Sequence, residues 1–146
     1  MLQFVYNRRM PATEGDLVHL LHAIAGEADE VVAIVEEVGG YIGKAQPGSR
    51  AFTFGRNFGF ILGVLQSLGV RVELVRPQKW QKALGLGTAS GCASKTAWKN
   101  KLKASARRLY PNLKPTLGTA DALLILDYAR RTAPAASPRQ EVLVNK

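Results

Sequence analysis

Val31-Val32-Ala33-Ile34-Val35 is a continuous apolar run with four β-branched residues in five, closed on one side by Asp29-Glu30 and on the other by Glu36-Glu37. A strand packed on both faces reads as an uninterrupted apolar run, because both alternating sets of side chains leave water. The run therefore predicts a central strand covered by helices. Before it, Leu17, Leu20, Leu21 and Ile24 recur at helical spacing behind Thr13, a suitable N-cap, which predicts a helix over 14–26. After it, residues 39–50 carry four glycines and a proline and read as a mobile loop. Phe52 to Leu68 follows as a second helix, with Gly55, Gly59 and Gly63 on one face, expected to lie closely on the sheet. Val70 to Val75 reads as another strand, and Pro77 opens a short helix that holds Trp80 and stops at Gly85. Ser94 caps a helix over 95–109, and Thr119 caps the last, over 120–131. Leu2 to Tyr6 reads as a short extended stretch. Strands alternating with helices make one α/β domain over residues 1–131, with 132–146 as a flexible tail.

The chain has 146 residues, 47% of them apolar and 21% charged, which suits one folded unit and excludes a disordered chain or fibrous repeat. Cys92 is the sole cysteine, so no internal disulfide forms, and the N-terminus lacks a basic start followed by an apolar stretch, so a cytoplasmic protein is expected. Arg56, Asn57 and Gln66 interrupt the most apolar stretch, 51–70, so no transmembrane helix is predicted. The net charge of +9 is unevenly spread. Residues 1–77 hold seven basic and eight acidic side chains, whereas residues 78–146 hold thirteen basic and three acidic. Such a field attracts a polyanion, nucleic acid first, with an anionic membrane surface or a ribosomal partner as alternatives.

Three constellations carry chemistry. Glu36 and Glu37 end the central strand, where alternation lets only one face a given cleft; that carboxylate is either a ligand for a hard cation such as Mg²⁺ or a solvated strand end. Asp121 stands in the first turn of the last helix, where the helix dipole alone favours an acid. Its small apolar neighbours would nonetheless drive the carboxylate into a packed contact unless a cation or donor awaits it. Lys95, Lys99, Lys103 and Arg107 recur every four residues with no acid between them, opposite Trp98, Leu102, Ala106 and Leu109, and read as a phosphate-contacting edge or a solvated face. Other patterns fail. The Lys95-Thr96 pair lacks the glycine that a phosphate loop places before its lysine, His19 and His22 have no cysteines nearby, and Cys92 has no histidine partner.

In several ordered blocks the sequence resembles the RuvC-like Holliday junction resolvases of the ribonuclease-H-like superfamily, in their phage and bacterial branch. The blocks are Met10-Pro11-x-Thr13-Glu14-x-Asp16-Leu17, Ile34-Val35-Glu36-Glu37-Val38, Phe52-x-Phe54-Gly55-Arg56-Asn57-x-Gly59, Val75 through Leu86, the 95–111 helix, and Thr119-Ala120-Asp121-Ala122-Leu123-Leu124-Ile125. The resemblance implies a ribonuclease-H-like mixed sheet flanked by helices. It also implies Mg²⁺-dependent, structure-specific hydrolysis of branched DNA, with Mn²⁺ as a substitute ion and no small-molecule cofactor. Glu36 and Asp121 match the family's catalytic and metal-binding acids. Tyr41 is then expected to stack on an unpaired base, and Lys44, Arg50 and Arg56 join the basic stripe as DNA contacts. The family's habit is a homodimer.

The sequence departs from the family in two places. The first strand, with its Gly-x-Asp-x-Gly motif, has no counterpart, and Gly118 stands where better-known members carry another acid. The sheet is therefore expected to lack two strands or to be completed by another chain. A DNA-binding remnant without cleavage, or a helper subunit with a basic protein-binding surface, are the alternative readings.

Overall fold

The acid-bounded run becomes strand β1, Val32–Glu36, in the computed structural model, which describes residues 5–37, 39 and 47–132. Its partner is β2, Arg71–Val75, aligned in parallel so that Val32 pairs with Arg71 and Glu36 with Val75. Among the described residues these two strands are the whole sheet, and the chain is α/β. Parallel neighbours need a crossover, supplied by the intervening helix.

Side-chain alternation along β1 divides the core in two. Val32 and Ile34 join Val75, Trp80, Trp98, Leu102 and the Leu123–Ile125 segment, whereas Ala33 and Val35 join Leu17, Leu21, Ile61, Leu65 and Val70. One layer thus comprises α1, Glu14–Ala25, and α2, Gly48–Ser67. The other comprises α3, Pro77–Ala83, α4, Lys95–Leu109, and α5, Ala120–Thr132. No residue from Val32 to Val35 is more than 7% exposed, as the apolar run required.

Several expectations shift at the element ends. Helix α2 starts at Gly48, four residues earlier than Phe52, because the Pro47 carbonyl accepts from the amides of Arg50 and Ala51 and sets the first turn. Arg50 is therefore an exposed helical residue, not part of a loop. The close approach expected of Gly55, Gly59 and Gly63 is absent: a Cβ at any of them would meet nothing within 4 Å. Helix α2 has 20 residues, about 30 Å at ~1.5 Å each, against ~16 Å for a five-residue strand. Its first half overshoots the sheet, and Phe52 stands 71% exposed. Thr13 and Ser94 cap as predicted, accepting from the amides of Asp16 and Ala97. The Thr119 hydroxyl accepts from the Thr116 amide and the Asn7 side chain. Helix α5 continues to Thr132, one residue into the expected tail, and the rest of that tail lies outside the described residues.

At Gly85, φ is +66°, the Gly85 amide donates to the Lys82 carbonyl and the Leu86 amide to that of Gln81. This is the left-handed helix stop that glycine supplies, with Leu86 buried just beyond it. No atom would meet an added Cβ there, so Gly85→Ala should cost backbone strain alone, about 1 kcal/mol in urea unfolding. An unchanged unfolding midpoint would contradict that origin.

Candidate functional site

Alternation and packing put the two candidate acids on one side of the sheet. Glu36 follows Val32 and Ile34 on the face of β1 that α3, α4 and α5 cover, and its register partner Val75 belongs to the same cluster. Glu37 takes the opposite side: its amide extends the ladder to the Val75 carbonyl, and its carboxylate accepts from Arg76 Nε at 2.9 Å. Asp121 occupies the first turn of α5 between Ala120 and the buried Leu123-Leu124-Ile125 segment, and α5 packs against β1. It is 4% exposed, the one buried charged side chain of the described core.

A charge so placed is costly unless a partner compensates it. Lys99 of α4 supplies that partner, its Nζ donating to Asp121 Oδ2 at 3.0 Å. The side chains of Asp121 and Lys99 are 6% and 29% exposed, so the ammonium reaches inward from the rim of the α4–α5 contact. Lys99, expected on a phosphate-facing stripe, is paired with Asp121 at that rim.

The other three members of that stripe diverge. Successive i→i+4 steps each advance about 40° around a helix of 3.6 residues per turn, so three steps rotate by about 120°. Trp98, Leu102 and Ala106, each one residue before Lys99, Lys103 and Arg107, drift by the same amount and stay buried, so the exposures of the cations differ through what packs beside each. Lys95 at the N-terminus of α4 and Arg107 near its C-terminus are exposed, while Lys103 is half-buried. Arg107 also donates from Nε to the Pro115 carbonyl at 3.3 Å, leaving its remaining guanidinium donors outward. Lys101, absent from the expected set, stands 6.0 Å from the Trp98 ring centroid as a cation–π neighbour.

Arg56 does not stand alone as a cation. It pairs with Glu14 at 2.6 Å, joining α2 to the first turn of α1. Tyr41 and Lys44 lie outside the described residues. Two polar links escaped the sequence reading. Asn7 donates to the Leu113 carbonyl and the Thr119 hydroxyl, fastening the chain entry to the start of α5. Burial raises the Tyr110 phenol above its ordinary value, with Arg130 opposing and Asp127 adding to the shift.

Glu36 and Asp121 suit one Mg²⁺ by donor chemistry, since that ion takes one or two carboxylates and completes its shell with water and substrate phosphate. Among the described residues no three His, Cys, Asp or Glu gather where a metal could be held. No helix of the described residues is long and apolar enough to cross a membrane. No protein-family model matches the chain, and no curated protein matches it.

Proposed function

We propose that the chain is a RuvC-like, ribonuclease-H-like nuclease that acts on branched DNA such as Holliday junctions, as a cytoplasmic and homodimeric protein. The observation that carries this reading is Asp121. A carboxylate buried in the first turn of α5, on the side of the sheet where Glu36 ends β1, is costly to hold and is often replaceable by an apolar residue without loss of stability, which supports a chemical role at that spot. Helix α4 borders the same contact and has no acid anywhere in Lys95–Leu109, which favours an approaching phosphate backbone.

In this reading Glu36 and Asp121 hold one Mg²⁺, which when bound polarises the phosphate and activates water. The packing of α5 on β1 keeps the two acids on fixed elements. Lys95 and Arg107 position the DNA without reading bases, because phosphate contacts carry no sequence information. Incubation with a synthetic four-way junction and Mg²⁺ should give cleavage that linear duplex of the same sequence does not show. Asp121→Asn should abolish the cleavage and keep the binding. Equal cutting of both DNAs would refute structure specificity.

A second reading, DNA binding without cleavage by this chain, draws on Gly118, where better-known resolvases carry another acid, and on Lys99 at Asp121. It expects tight, salt-sensitive junction binding and intact DNA after Mg²⁺ addition.

A further inference from the structure

A lysine side chain already supplies positive charge where a divalent ion would need it. Lys99 Nζ lies 3.0 Å from Asp121 Oδ2, inside hydrogen-bond distance and close to where a ligated cation would itself sit. An ammonium and a divalent ion cannot share one carboxylate oxygen at that range, because their mutual repulsion in a poorly hydrated contact is large. The two ends of the pair differ. Asp121 is fixed in the first turn of α5 among buried neighbours, whereas Lys99 projects from α4 on a four-carbon stem and keeps 29% of its side chain exposed. Only the lysine can leave without disturbing the helix packing.

We propose that Lys99 is a resident counter-ion of Asp121, and that a divalent cation reaches this carboxylate only by displacing the ammonium to solvent. The ammonium offsets the Asp121 charge in the metal-free chain, and ion loading becomes an exchange of one cation for another. Lys99 acts through Asp121 and is a positioning residue. The inference rests on reading Asp121 as a cation-site carboxylate, and its test needs neither DNA nor cleavage.

The probe is Mn²⁺ alone, with free ion measured by its paramagnetic signal and thermal unfolding followed in parallel. Lys99→Met should bind Mn²⁺ at least tenfold more tightly than the parent protein and should gain more thermal stability from it. Lys99→Arg, which keeps the charge, should stay weak, and the Asp121→Leu/Lys99→Met double variant should lose the gain. Equal Mn²⁺ affinity in the parent and Lys99→Met would overturn the exchange and leave Asp121 standing as a ligand. Failure of every variant to bind would overturn the exchange together with the cation-site reading.

Should Lys99→Met not fold, the parent protein decides. Acetylation of Lys99, read by mass spectrometry against the exposed Lys114, should be slow without Mn²⁺ and several-fold faster with it. A rate unchanged by Mn²⁺ would refute displacement.

Discussion

Lys99→Met should destabilise the metal-free protein by about 2 kcal/mol, a value between the ~3–5 kcal/mol for breaking a fully buried ion pair and the ~0–1 kcal/mol for an exposed one. The intermediate figure follows from the geometry, since Asp121 is 6% exposed and Lys99 is 29% exposed. Most of the loss comes from the carboxylate left behind. Replacing it too, in Asp121→Leu/Lys99→Met, should return stability to within about 1 kcal/mol of the parent, because apolar residues of similar volume often substitute for a buried pair at no net cost. The two positions touch, so their effects must couple rather than add. Denaturant unfolding of the parent, both single variants and the double variant gives that coupling directly. A double variant that loses the sum of the two single losses would show that the 3.0 Å contact carries no compensating role.

Residues whose environment is set by chain periodicity were legible in the sequence. The Val31–Val35 run could be read as a strand buried on both faces because alternation and burial act on every residue in turn, and the same alternation separated Glu36 from Glu37. Caps at Thr13 and Ser94 were legible because each needs only an amide two or three residues ahead. The Thr119 hydroxyl also accepts from the Asn7 side chain, 112 positions away, which no local pattern reveals.

The glycines of α2 show the opposite limit. Spacing establishes that Gly55, Gly59 and Gly63 share a face, and only the packing of the helix through Ile61 and Leu65 shows that the glycine face looks into open space. Asp121 was legible as a buried acid from its apolar neighbours, but its partner was hidden. A lysine every fourth residue suggests one edge, whereas Lys99 meets Asp121 of α5, 22 positions away, a contact that the periodicity of α4 alone does not reveal.

That contact changes which cations should govern DNA affinity. On a straight stripe, Lys99→Ala with Lys103→Ala would remove two phosphate contacts; with Lys99 held at Asp121 and Lys103 half-buried, the pair should alter the salt dependence by less than about one contact. Lys95 and Arg107 are the exposed members, at opposite ends of α4, about 18 Å apart for twelve residues at ~1.5 Å rise. That separation spans several phosphates along one strand. Each should release about one counterion on binding, so Lys95→Ala/Arg107→Ala should lower the slope of log affinity against log salt by about two. The measurement belongs in chelator, where no divalent ion competes with Lys99 for Asp121. Sequence preference should not change, because neither side chain needs a base edge to make its contact. The fold should persist as well, since Trp98, Leu102 and Ala106 hold α4 in the core and Arg107 gives up only its bond to the Pro115 carbonyl. An unchanged slope in this variant, with a drop of two in the Lys99/Lys103 variant, would place the phosphate path along the inner margin of α4 and require the Lys99–Asp121 pair to open whenever DNA binds.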